Sequence, residues 1–122
     1  MPVSESSKLS TPMGEVSIVQ SRGDGPPVLL VHGNSACKEV FARQFDSALL
    51  AGWRLIALDL PGHGASADAP DPLAAYALDG FAAACASVLD QLGTGAVPVL
   101  GWSLGGHIGL ELLGRRPDMV RA

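Results

Sequence analysis

The stretch VPVLGWSLGGHIGL, residues 97–110, decides the fold. Val97-Pro98-Val99-Leu100 is a short β-favouring run without polar alternation, the pattern of a strand covered on both faces in a parallel sheet. Gly101-Trp102-Ser103-Leu104-Gly105-Gly106 breaks that run in a sharp turn, and Ile108 to Leu113 reads as a helix that stops before Pro117. The turn fits G-x-S-x-G, in which a serine occupies a strained bend between strand and helix and small neighbours let backbones approach closely. Ser103 would then project its hydroxyl outward. The Leu104 N–H, at the helix N-terminus, would face any negative charge developing on a carbonyl oxygen beside it.

Two similar units precede this one. Val28-Leu29-Leu30-Val31 is a buried strand ended by His32-Gly33-Asn34-Ser35, and Leu55-Ile56-Ala57-Leu58 is another, closed by Asp59-Leu60-Pro61-Gly62-His63-Gly64. Between them Phe41, Phe45 and Leu49 recur at helical spacing, predicting a crossover helix over residues 38–50 with Gly52 as its stop. A second helix, capped by Asp79, carries Phe81, Cys85, Val88, Leu89 and Leu92 on one face and ends at Gly93. Glu15 to Gln20 alternates polar and apolar residues and reads as a strand, whereas residues 1–14 are polar and read as a loose lead-in or at best a short edge strand. Alternating strands and helices imply right-handed βαβ units, hence an α/β fold with a mostly parallel sheet and helices on both faces. Its functional loops should cluster at the C-terminal ends of the strands.

Composition narrows the function. With 122 residues, 48% apolar, the chain is one domain able to bury a core without disulfides. A net charge of −4 and no basic cluster beyond Arg115-Arg116 argue against nucleic acid or an anionic membrane as partner. The apolar runs are far shorter than the ~20 residues of a membrane span, and the N-terminus has no basic start or apolar segment, so a cytoplasmic location is expected. Cys37 and Cys85 have no metal-binding spacing and read as reduced thiols. No metal or organic cofactor is implied.

The motifs VLLVHGN (28–34), LIALDLPGHGAS (55–66), VLGWSLGGH (99–107) and RRPDMV (115–120) together resemble the α/β-hydrolase family over residues 28–120. The resemblance implies a serine hydrolase acting on a small-molecule acyl substrate, a carboxylic ester or related bond, with Ser103 as nucleophile and an acyl-enzyme intermediate. Leu104 and Asn34, with Ser35 as second choice, would donate the two oxyanion-hole N–H groups. Trp102, with Asn34, is a candidate substrate contact; Trp102 could equally be a core aromatic beside the turn. Dehalogenase-like and epoxide-hydrolase-like members place an aspartate where this chain has Ser103.

The chain departs from the family in one respect. The family orders its triad as nucleophile, acid, histidine, yet only Glu111, Asp118 and His107 follow Ser103 here. His107 should pack beneath the serine, His32 and His63 should hold the strand-end loops through backbone hydrogen bonds, and Asp59 should order the 61–64 turn. Residues 15–122 therefore read as the N-terminal part of an α/β-hydrolase domain, inactive or weakly active alone. The family's strand order, 1-2-4-3-5-6-7-8, would leave residues 97–100 as an exposed apolar edge, with the next strand just after Ala122. Self-association through that edge, and a non-catalytic interaction module, are the alternative expectations.

Overall fold

The structure is a computed structural model and describes residues 4–122. Five strands form one mixed sheet: β1 (Ser4–Thr11), β2 (Gly14–Ser21), β3 (Pro27–Val31), β4 (Arg54–Leu58) and β5 (Val99–Gly101). Their order is β1-β2-β4-β3-β5. The β4-β3-β5 part is parallel, and β1 and β2 join antiparallel. Non-alternating β3 is covered on both faces, as its pattern predicts: Leu29 and Val31 face one core, Leu30 the other.

The larger core lies under α3 (Leu78–Leu92) and α4 (Leu104–Arg115), which pack on one face of the sheet. Phe81, Cys85, Val88 and Leu89 of α3 and Ile108 and Leu112 of α4 meet Val16, Ile18, Ile56 and Leu58 there. Gly93 ends α3 in the left-handed conformation, φ 64°, that glycine adopts without a Cβ clash. Asp79 does not cap this helix. Ala77 holds the N-cap position, and the Asp79 carboxylate takes the adjacent Gly80 N–H. Gly80 sits so close to α2 (Pro72–Ala75) that a Cβ would lie 2.1 Å from the Ala74 carbonyl oxygen, and this contact sets where α3 begins.

The opposite face is covered more thinly, and here the predicted crossover helix breaks up. Residues 38–50 form a 3₁₀ turn (Lys38–Phe41), one turn of α-helix, α1 (Ala42–Phe45), and a second 3₁₀ turn (Ala48–Leu50). The Ser47 hydroxyl accepts the Leu49 N–H, stopping the helix and starting a new turn. The periodicity therefore slips by one residue: Leu50 packs on the smaller core with Phe41 and Phe45, while Leu49 is 93% exposed.

At the N-terminus, residues 4–11 take the second of the two expectations, an edge strand and not a loose lead-in, and at eight residues it is not short: it pairs with β2 from Ser4↔Ser21 to Thr11↔Gly14. Residues 1–3 lie outside the described residues. Serines, a lysine and a threonine suit an edge that faces water on one side. At the other edge, the expected strand over 97–100 begins two residues later, and Val97 instead bridges Val120. The chain's own residues 119–122 cover this part of the edge, through Val97 N–H to the Met119 carbonyl (2.8 Å), Arg121 N–H to Val97 (2.9 Å) and Val99 N–H to Ala122 (2.9 Å). Parallel pairing thus starts before Ala122, and Val97 is buried, not exposed. Among the described residues, no helix is long and apolar enough to cross a membrane.

Candidate active site

Three loops meet at the C-terminal ends of β3, β4 and β5. The β5 loop turns at Ser103, whose φ of 55° and ψ of −116° are ones that side-chain-bearing residues seldom adopt. Close packing imposes that bend. The Trp102 N–H donates to the Val31 carbonyl (3.0 Å), tying the turn to β3. A Cβ on Gly105 would sit 2.0 Å from the Val31 oxygen, and one on Gly101 would sit 2.3 Å from Gly105. The strand and helix can approach this closely only through glycine. Ser103 is left exposed at the head of α4.

Gly105 and Gly106 N–H groups are taken by the Trp102 and Ser103 carbonyls. Among the described residues, nothing accepts the N–H of Leu104. The first loop approaches from β3, where a Cβ on buried Gly33 would sit 3.2 Å from the Trp102 carbonyl oxygen and 3.4 Å from Ser103 Cβ. Residues 33–36 form a turn closed by Ala36 N–H to Gly33 (3.3 Å), with Ser35 at φ 59°. Asn34 and Ser35 are exposed, and the Asn34 N–H likewise meets no acceptor among the described residues. Trp102 is not a core aromatic: it is 68% exposed and, with Val40, Phe41, Arg43, Gln44 and Leu100, lines a cleft of 740 Å³.

The histidines take different places. His32 is fully buried, with Nδ1 2.7 Å from the Gly33 oxygen and Nε2 accepting the Leu60 N–H at 3.0 Å. His63 Nδ1 lies 2.9 Å from the Pro61 oxygen. Both hold backbone at the strand ends, as expected. His107 does not pack beneath the serine; it is exposed on the outer side of α4. Helical spacing puts residues 103 and 107 near one face, but the 3.6-residue repeat cannot tell which face meets the sheet. Gly105, Ile108 and Leu112 are the buried positions of α4.

Asp59 anchors the second loop together with a partner the sequence reading missed. Its carboxylate accepts the Lys38 N–H (2.7 Å), the Lys38 ammonium (2.7 Å) and the Ala65 N–H (2.9 Å), and both side chains are buried. Burial opposes ionisation of Asp59, but these donors outweigh it and hold its carboxyl below the usual range. Burial likewise opposes the Lys38 charge, and Asp59 overrides it, raising the amine. Sequence spacing carries no signal for this pair, because the contact forms only once the β3 and β4 loops lie side by side. Cys37, Glu39 and Asp59 bring ligand-type atoms within 4.8 Å of one another. The cation among them is the protein's own, since Lys38 Nζ lies 3.3 Å from Glu39 and 2.7 Å from Asp59.

The family model of the alpha/beta hydrolase fold matches residues 26–122. The chain belongs to the α/β-hydrolase family. Among its curated relatives, this α/β-hydrolase is similar to a pimeloyl-(acyl-carrier protein) methyl ester esterase of Neisseria meningitidis serogroup A, 46% identical over 95 residues, 78% of this chain and 28% of the relative. It is also similar to a haloalkane dehalogenase of Psychrobacter cryohalolentis, 37% identical over 95 residues, 78% of this chain and 31% of the relative. Among solved structures, a variant of the N-acyl homoserine lactonase AidH complexed with N-hexanoyl homoserine superposes with a TM-score of 0.91 at 45% identity, covering 95% of this chain and 42% of that one. This α/β-hydrolase chain thus spans about a third of the length of the curated relatives it matches.

Proposed function

We propose that this chain carries the nucleophile and the oxyanion site of a hydrolase that cleaves a carboxylic ester or lactone. The observation behind the reading is Ser103, an exposed hydroxyl on a backbone held at φ 55°, next to a Leu104 N–H without an acceptor among the described residues. Two relatives, a methyl ester esterase and a lactonase, bear names that describe cleavage of an acyl–oxygen bond. A serine where dehalogenase-like members carry an aspartate favours acyl chemistry over dehalogenation.

In the reaction, Ser103 Oγ bonds to the acyl carbon as its proton passes to a base, and the carbonyl electron pair moves onto oxygen. Leu104 and Asn34 N–H groups receive that charge. Collapse breaks the acyl–oxygen bond, and the departing alcohol takes the proton; for a lactone the alcohol stays tethered to the acyl group. Water then attacks the acyl-serine, releasing the acid and restoring the hydroxyl. Trp102 and the apolar cleft beside it are suited to the organic part of such a substrate.

Among the described residues, no histidine hydrogen-bonds Ser103: His32 has both ring nitrogens engaged, His63 is held by Pro61, and His107 is exposed on α4. The chain alone should therefore turn over slowly, within the residual ~10³–10⁴-fold over water left when a triad member is removed. The test is covalent. In a form of the protein that supplies the base, incubation with a fluorophosphonate should place one adduct on Ser103, found by peptide mass spectrometry and lost in Ser103→Ala. Equal reaction at other hydroxyls, or none at Ser103, would overturn the reading.

The second reading, a binding module, draws on exposed apolar side chains on both sides of β5: Val40, Leu100 and Trp102 on one, Leu110 and Leu113 on the other. In its self-association form it requires the chain to associate with a second copy; a partner that adds a strand is the other form. A concentration-independent monomer in light scattering would exclude self-association.

A further inference from the structure

His32 lies outside the reaction just described, yet its bonds bear on one of the two oxyanion donors. Its Nε2 accepts the Leu60 N–H at 3.0 Å, so that nitrogen carries no proton, and the neutral ring must hold its proton on Nδ1. Nδ1–H then donates to the Gly33 carbonyl at 2.7 Å. The peptide joining Gly33 to Asn34 is planar and trans, so its C=O and N–H point in opposite directions. With the carbonyl held on the His32 side, the Asn34 N–H is turned away from His32. Gly33 itself lies near the serine turn: a Cβ on it would sit 3.2 Å from the Trp102 carbonyl oxygen and 3.4 Å from Ser103 Cβ.

We propose that His32 is a positioning residue: as the Nδ1–H tautomer it clamps the Gly33 carbonyl and so aims the Asn34 N–H at the oxygen that Ser103 chemistry would charge. The inference rests on the oxyanion role given to Asn34 above. The other bond to the Gly33 oxygen, from Ala36, is longer at 3.3 Å and belongs to a turn with a strained Ser35. His32 therefore supplies the firmer hold. Through Leu60 it also ties the first loop to the second, so one ring sets the spacing of two loops.

The clamp is sensitive to pH. A second proton on His32 would set Nε2–H against the Leu60 N–H, two donors face to face, and open the link. Burial keeps His32 below the usual histidine range; the Gly33 bond raises it, the His63 ring 5.2 Å away lowers it, and Asp59 and Glu39 raise it. Lys38, paired with both acids, blunts their pull. The neutral clamp should thus survive to pH values below those at which an exposed histidine titrates.

Two substitutions separate the two bonds. In His32→Asn an amide N–H stands about where Nδ1–H stood, keeping Gly33 and losing Leu60; in His32→Gln a carbonyl oxygen stands about where Nε2 stood, keeping Leu60 and losing Gly33. In the ¹⁵N-labelled parent chain, two-bond proton–nitrogen correlation should show Nδ1 protonated, and the Asn34 amide should shift as His32 titrates. That amide should stay near its parent position in His32→Asn and move in His32→Gln, with the Leu104 amide unchanged in both. Fluorophosphonate labelling of Ser103 should be near parental in His32→Asn and slower by up to about 100-fold in His32→Gln. An Nε2-protonated parent ring, or equal displacement of Asn34 in both variants, would overturn the proposal. Should Ser103 label in no form, the function proposed above fails, and the parent tautomer and the Asn34 amide still decide the clamp.

Discussion

Replacing Gly105 by alanine tests the contact on which the Ser103 bend depends. The new Cβ would meet the Val31 oxygen at 2.0 Å, the Val31 carbonyl carbon at 2.7 Å and the His32 oxygen at 2.8 Å. All three are backbone atoms, so no rotamer change relieves the clash, and α4 must retreat from β3 by more than ~1 Å to reach an ordinary contact. Overpacking a core costs about 1–3 kcal/mol where side chains can give way, and this site should lie at or beyond the top of that range. Glycine in a helix is itself about 1 kcal/mol worse than alanine, which partly offsets the loss. Gly114→Ala isolates that gain, because it lies in the same helix with nothing within 4 Å of its Cβ; Gly106→Ala, with only the Gly101 oxygen at 3.6 Å, is a second control. Urea unfolding of the three variants should show both controls equal to or above the parent, and Gly105→Ala lower by about 2 kcal/mol or more at unchanged slope. Retreat of α4 also carries the Leu104 N–H with it, so Ser103 labelling should slow in Gly105→Ala alone. Equal stability of Gly105→Ala and Gly114→Ala would refute the argument that close strand–helix approach imposes the bend.

Other outcomes follow from the same geometry. Ser103→Gly should be about 1 kcal/mol more stable than Ser103→Ala in urea, because glycine relieves ~1–3 kcal/mol of strain at φ 55° and returns part of it as chain entropy. Lys38→Met should cost about 3–5 kcal/mol near neutral pH, since it strands the buried Asp59 charge. Because the folded Asp59 carboxyl is held below its unfolded value, the pair's contribution is complete above the ordinary carboxylate range and fades as pH falls through it toward the lower folded value. Acid should therefore destabilise the parent more than Lys38→Met, as thermal melts across pH 3–7 would show. Cys85 is fully buried and its thiol is pushed up to about 12 by burial, so a thiol reagent should modify half-exposed Cys37 in the native chain and Cys85 only on unfolding. Equal reaction rates at the two would contradict the packing of α3.

Local chemistry made several features legible without coordinates. The buried strands at residues 28–31 and 55–58 follow from β-favouring runs, the stop of α3 from Gly93, and the bend at Ser103 from glycines that admit close backbone contact. The first two depend on neighbours in the chain; the bend is marked by neighbouring glycines, although the Val31 backbone they pack against is distant in sequence. The broken crossover helix and the 4–11 strand are local too, through Ser47 and the Thr11–Gly14 turn, but apolar periodicity does not register them. For the Lys38–Asp59 pair, the covered edge at Val97 and the outward face of His107 the decision belongs to groups far apart in sequence: a carboxylate 21 residues from its ammonium, a Val97–Val99 backbone that takes up residues 119–122, and the sheet that buries Ile108 and Leu112. Residue order can set where a strand ends and a serine is forced into a strained turn. Which N–H groups near that serine are left without an acceptor depends on which carbonyls the other loops have already claimed, and only the folded chain determines that.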